Sequence, residues 1–316
     1  AFILTETAPA LSLAEFLYFT VSVFAFYRAA FFIHELTHQE RSSLPGFSLA
    51  WNLLLGIPTL FPSFLYRGVH IDHHRRATYG TDEDGEYLPF GASPLWRSFL
   101  YLSQTVLLPF VVVFRFGVIA PLSLMHPRLR FYVMTHCSSL NIRLDTERKI
   151  PKSALELRNW YILESLCAAW ALVLALLFFD GVLSLGTLRH IYLLMTCLFF
   201  VNSVRTLVAH RYRNKSGKDL TFTDQFLDSV NVEGNVLLGG LLAPVGLRFH
   251  ALHHLFPSLP YHSLATAHQR LKEQLPADSI YHEATEPSFW AAFATHWRNT
   301  RQAANEDELV HGSYRI

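Results

Sequence analysis

Three short histidine runs set the chemistry of this chain. They read His34-Glu-Leu-Thr-His38, His70-Ile-Asp-His73-His74 and His250-Ala-Leu-His253-His254. Residues three and four apart share one face of a helix, and imidazoles at i and i+4 can bind one metal ion. The second and third runs add a nitrogen at i+3. Chance does not account for the pattern. With 17 histidines in 316 residues, His-x-x-His-His is expected roughly 0.05 times, yet it occurs twice. His210 joins these eight by position, because it follows directly on an apolar run that ends Val208-Ala209.

Nine imidazoles exceed one ion, since a structural zinc takes four ligands. Two ions with four or five nitrogens each fit the count. Imidazole suits iron, zinc and copper, and zinc has no redox chemistry, so a redox role points to iron. The chemistry inferred is O2 activation at a dimetal centre, followed by hydrogen abstraction from an unactivated C–H bond. Other chemistries lack residues. No G-x-S-x-G, C-x-x-C, G-x-G-x-x-G or P-loop is present, and Cys137, Cys167 and Cys197 stand far apart.

A ligating imidazole usually donates its other N–H to a carboxylate or carbonyl. Glu35 and Asp72, inside the first two boxes, are candidates for that role. So are Asp224, Asp228, Asn231 and Glu233, which precede the third box. The acidic run 82–86 reads as a solvated loop. Of the other histidines, His126, His190, His282 and His296 read as interfacial, and His136 and His268 as surface or loop residues.

The elements that carry these groups are oily. Apolar residues make up 51% of the chain and charged ones 16%, where a soluble domain carries about 25% charged. Formal charge is +1, which gives no support for a nucleic-acid partner. Stretches 11–33, 160–179 and 183–209 are long enough to cross a bilayer, the last two joined by the turn signal Asp180-Gly181. Stretches 47–66 and 98–125 are interrupted by Pro58, Pro62, Pro109 and Pro121. All three boxes must face the same side to share a site, so an even number of crossings must separate them. The two interrupted stretches are therefore expected to be re-entrant or interfacial. Lys and Arg crowd 127–159 and 211–218, while the turn at 180–187 has none. The positive-inside rule then places the boxes in the cytoplasm. Trp96 and Trp160 read as interfacial belt residues. The expected fold is all-α: one domain over 1–316, a polytopic transmembrane helical bundle with a cytoplasmic helical cap (about 211–316) holding a histidine-rich dimetal site.

The boxes HELTH, HIDHH and HALHH, in that order between apolar segments, resemble the membrane fatty-acid desaturase and hydroxylase superfamily. The run from His250 to His262 and the run Arg205-Thr-Leu-Val-Ala-His-Arg-Tyr212 are similar to its bacterial acyl-lipid desaturase branch. The resemblance implies two Fe ions, replaceable by zinc in a recombinant preparation, with His210 completing the ligand set. It implies O2 as co-substrate and a lipid or acyl-chain substrate. It also implies a separate electron donor of the ferredoxin or cytochrome b5 type with its reductase. The activity expected is an O2-dependent di-iron desaturase acting on a fatty acyl chain in a bacterial inner membrane. Two alternatives stand beside it: a di-iron hydroxylase or ketolase of a lipid, alkane or carotenoid, and a membrane metal transporter or receptor.

Overall fold

The computed structural model describes residues 1–39 and 44–312. The chain opens with α1 (Phe2–Thr7), α2 (Leu13–Ala30), α3 (Phe32–His38), α4 (Phe47–Trp51) and α5 (Phe64–His73). The middle holds α6 (Leu95–Ser103), α7 (Leu108–Phe114), α8 (Ala120–Ser123), α9 (Pro127–His136), α10 (Ala154–Phe179) and α11 (Leu185–Ala209). Then come α12 (Phe222–Asp228), β1 (Asn231–Val232), α13 (Val236–Leu242), α14 (His250–Leu255), α15 (Tyr261–Gln274), α16 (Ile280–Glu283), β2 (Thr285–Glu286) and α17 (Phe289–Gly312). Among the described residues, β1 and β2 are the only strands, a two-residue parallel pair.

Three helical stretches are long and apolar enough to cross a membrane: Leu13–His38, Ala154–Phe179 and Leu185–Ala209. The 26 residues of α10 extend about 39 Å at 1.5 Å per residue, more than the roughly 30 Å of a hydrocarbon core. Side-chain oxygens set where these helices begin. Ser12 accepts the Glu15 N–H at the start of α2, and Ser153 accepts the Glu156 N–H at the start of α10. Thus α10 starts six residues before its apolar stretch. Gly181, at φ +73°, makes the turn that leads to α11.

The first interrupted stretch is short. α4 and the π-helical turn Asn52–Gly56 together run 10 residues, about 15 Å, half of a membrane core. Gly56 is required there, because a Cβ would lie 2.9 Å from Asn52 Oδ1. That oxygen instead accepts the Ser63 N–H, closing the loop around Pro58 and Pro62. The 98–125 stretch breaks at Leu107 into Leu95–Val106 and Leu108–Ser123, which together are long and apolar enough for one broken span or a re-entrant loop.

The chain forms two compact units. The first is Ala1–Val69, Gln104–Leu140 and Glu147–Phe200; the second is His70–Ser103, Asn141–Thr146 and Val201–Ile316. In the first, Phe64, Leu65, Phe116, Met134, Trp160 and Cys167 form the core. Trp160 is therefore not a belt residue. It is 1% exposed, stacks on Phe64 and carries the Arg148 guanidinium 4.2 Å from its ring. His190 is not solvated. It is buried between two carboxylates, Glu6 at Nδ1 and Glu15 at Nε2. In the second unit one core gathers Tyr79, Tyr87, Phe90, Leu207 and Tyr212, and another gathers Phe226, Phe249, Leu252, Leu264 and Tyr281.

Candidate metal centre

The second unit holds seven of the nine candidate ligands. The last turn of α5 presents His70 and His73, with His74 immediately after it. The six-residue α14 carries His250, His253 and His254. His210 follows α11, and its backbone bridges to Ser229 while Asn231 bridges to Phe249, just ahead of the third box. Gly91 makes one approach possible: a Cβ there would meet the Arg211 carbonyl oxygen at 1.9 Å, so only glycine lets this backbone pass.

The seven imidazoles fall into two groups. His73, His210, His250 and His254 bring ligand nitrogens within 4.8 Å of one another, and so do His70, His74 and His253. Within the first group, Nε2 of His210 lies 3.2 Å from that of His73 and 2.9 Å from that of His250. His254 Nε2 is 3.2 Å from His250 Nε2. In the other group the His70 and His74 Nε2 atoms are 3.2 Å apart. Converging lone pairs repel unless a cation sits among them. An ion with bonds near 2.0–2.1 Å places neighbouring ligand nitrogens about 2.9–3.4 Å apart, so these donor sets fit two transition-metal ions. In the first unit, His34 and His38 stand one turn apart on α3, ring centroids 4.9 Å apart.

Hydrogen-bond partners at Nδ1 fix which nitrogen faces inward. His73 Nδ1 donates to Asp84, 2.9 Å from Oδ2, and His70 Nδ1 to Glu86 at 2.8 Å. His210 Nδ1 lies 2.8 Å from the Tyr79 hydroxyl, which donates to Asp228 at 3.1 Å. The 82–86 run is therefore not a solvated loop. Asp82 is exposed beside Arg143, whereas Asp84 is 0% exposed and accepts the Gly80 and Glu86 N–H groups. Gly80, at φ +72°, turns the chain back toward the second box. Sequence reasoning missed Asp84, Glu86 and Tyr79 because no helical period links them to the boxes. The Tyr79-Gly80 turn just past the second box was the available signal.

The other candidates play different parts. Asp72 points away and pairs with Arg75 at 2.6 Å. Asp224 sits in the first turn of α12, which Thr221 caps. Asn231 accepts the Leu252 N–H at 2.9 Å and so holds the backbone of α14. Glu233 takes Lys272 and His268. Glu35, in the first unit, accepts from Gln39. His268 is no surface residue: it is 3% exposed on α15, between Glu233 and the Tyr281 hydroxyl at 2.7 Å. His296 is buried too, with Nε2 against Ser98.

Electrostatics favours free lone pairs at three of these imidazoles. Burial, reinforced by neighbouring positive charge, pulls His210, His250 and His254 well below the ordinary imidazole range, so they are neutral at neutral pH. Burial pulls His73 the same way, but the Asp84 charge and hydrogen bond prevail and raise it. Burial pushes the Glu86 carboxyl up to about 7.

Apolar helices long enough to cross a membrane and convergent histidine sets that could hold metal ions fit a membrane-bound oxidoreductase. The chain belongs to the fatty acid desaturase family, whose model matches residues 10–285. It is also 41% identical to a ceramide hydroxylase of Caulobacter vibrioides (strain NA1000 / CB15N) over 282 residues, 89% of this chain and 80% of the relative. No solved structure matches it. The relative's name is that of a hydroxylase, so it favours the alternative over the expected desaturation.

Proposed function

We propose that the nine histidines hold two iron ions and that the protein hydroxylates the hydrocarbon of a ceramide-type lipid. One observation carries the choice of reaction: the 41% identity, across 89% of the chain, to a ceramide hydroxylase. The balanced reaction takes R–H, O2, two electrons and two protons to R–OH and water. Bound iron would supply the O2 activation.

The grouping of the histidines supports these roles. His73, His210, His250 and His254 take one ion. His70, His74 and His253 take the other, and His34 and His38 are assigned to it by ligand count. Asp84 and Glu86 keep the Nδ1 protons of His73 and His70 outward, so that both Nε2 atoms face inward. The exposed apolar faces of α10, including Leu172, Val173 and Leu176, suit contact with lipid. On this reading the protein lies in a bacterial inner membrane with its metal centre on the cytoplasmic side. A separate ferredoxin or cytochrome b5 type carrier, with its reductase, supplies the electrons.

The test is expression in cells containing ceramide, together with an electron donor and under isotope-labelled O2, followed by mass spectrometry of the lipids. One labelled oxygen gained in ceramide is the expected product. The family description favours a second reading, desaturation. Two hydrogens lost with no oxygen gained would establish that reading and overturn hydroxylation. Unchanged lipids would overturn both.

A further inference from the structure

Two arginines in the first compact unit share one carboxylate. Arg115 opens the π-helical turn Arg115–Ile119, between α7 and α8, inside an apolar stretch. Its Nη2 pairs with Glu164 of α10 and donates to the Ser138 hydroxyl at 2.8 Å, and its Nε donates to the Cys137 carbonyl. Arg130 of α9 pairs with the other oxygen of Glu164 through Nη2, and its Nη1 donates to the Ser123 hydroxyl at 3.3 Å. Among the described residues no second carboxylate pairs with either guanidinium, so the cluster keeps one positive charge in excess. Arg115 is 7% exposed, and its Nη1 is buried without a hydrogen-bond partner, as is Arg130 Nε.

Such an excess is costly to bury unless an opposite charge offsets it, and an unpaired buried N–H adds to the cost. Ionisable residues in the apolar stretches of membrane proteins mark sites of function. The neighbouring surface shows what partner fits. Arg130 is the member that reaches it, 13% exposed, with its guanidinium 4.8 Å from the ring of exposed Tyr161. Arg128, in the first turn of α9, is exposed and has no carboxylate partner among the described residues. Leu124 and Met125 before α9, and Phe131 and Tyr132 on it, are exposed too, an apolar surface that calls for a cover. A free phosphate would leave that surface bare. A phospholipid serves both parts: guanidiniums bind phosphate oxygens, and acyl chains lie against the apolar side chains. A zwitterionic headgroup brings its own cation, whereas an anionic one offsets the excess. Basic pockets between membrane helices bind headgroups of this kind.

We propose that the corner between α8 and α9 binds an anionic phospholipid, its phosphate against Arg130 and Arg128 and its chains along Leu124, Met125, Phe131 and Tyr132. Binding offsets the excess charge of the Arg115–Glu164–Arg130 cluster and so braces α8, α9 and α10. This rests on the membrane reading of the span-length helices, and not on the metal centre or the reaction proposed above.

Native mass spectrometry of the delipidated full chain in detergent tests it. The probes are phosphatidylglycerol and phosphatidylcholine with the same acyl chains; inorganic phosphate is tested separately by melting temperature. Parent protein should bind phosphatidylglycerol about tenfold or more tightly than phosphatidylcholine. Phosphatidylglycerol should raise its melting temperature and inorganic phosphate should not. A surface arginine contributes about fivefold to such attraction, so Arg128→Gln should cut the preference by about that factor with the melting temperature in detergent unchanged. Arg130→Gln leaves the Arg115–Glu164 pair neutral and should cut the preference at least as much. Arg128 is exposed, so its variant keeps the test open where Arg130→Gln fails to fold. Equal affinity of the parent for the two lipids, or a parent-like preference in Arg128→Gln, overturns the inference. Equal stabilisation by inorganic phosphate assigns the site to a soluble phosphate and overturns the lipid. A chain that stays in solution without detergent and binds neither lipid overturns the membrane reading, and this inference with it.

Discussion

Asp84→Asn tests one half of the proposed metal centre. The carboxylate accepts from His73 Nδ1 and the Gly80 N–H through Oδ2, and from the Glu86 N–H through Oδ1. An amide has one oxygen and one NH2 group. Its better orientation sets the oxygen toward His73 and Gly80, leaving NH2 against the Glu86 N–H. That strands a buried donor, at about 1–3 kcal/mol, and the charge-assisted bond to His73 is lost. Substitutions of such partners lower metal affinity about 10–100-fold, or roughly 1.4–2.7 kcal/mol at 1.36 kcal/mol per decade. The loss should fall on the ion of His73, His210, His250 and His254. Glu86→Gln should weaken the ion of His70, His74 and His253, and by less, because Glu86 is 14% exposed. The assay is graded chelator dialysis of detergent-purified protein, followed by metal content per chain. Parent protein should hold two ions where Asp84→Asn holds one. The reasoning is refuted if the variant keeps both ions through the same chelator range, or releases both together.

Asp72→Ala should change metal content and melting temperature little, since its bond to the half-exposed Arg75 is a surface pair worth about 0–1 kcal/mol. A loss of metal as large as that of Asp84→Asn would return Asp72 to the centre. Gly91→Ala should sharply lower the yield of folded protein, because its Cβ would fall 1.9 Å from the Arg211 oxygen; size-exclusion profiles and thermal melts report this. Burial holds His296 down at about 4, below its unfolded value near 6.5. The unfolded chain therefore binds more protons than the folded one between those values, and stability falls as pH drops through that window. His296→Gln should flatten the acid side of the melting-temperature profile from pH 6.5 to 4, and an unchanged slope would assign the acid sensitivity elsewhere.

Periodicity made much of the molecule legible. Histidines at offsets of three and four must share a helix face, and α5 and α14 place them so. Apolar runs of membrane length became α10 and α11, and the prolines after Phe47 kept α4 short. Side chains whose environment depends on distant packing were not legible. His190, His268 and His296 read as surface or interfacial, yet each is buried against a polar partner. Trp160 read as a belt residue and is a core residue. In each case the burying partners lie far off in sequence or carry no period.

By itself the sequence determined the candidate metal-binding residue type, the box spacing and the membrane-length helices, because each is a local property of a helical chain. Tertiary structure alone decided which carboxylates serve the imidazoles. Asp72, inside a box, turns toward solvent and Arg75, while Asp84 and Glu86 reach His73 and His70 from a loop that doubles back at Gly80. It also decided how seven of the imidazoles divide: His73 groups with His210, while its neighbour His74 groups with His70. The reason is geometric. Adjacent residues on a helix differ in direction by about 100°, so neighbours in sequence join different histidine groups.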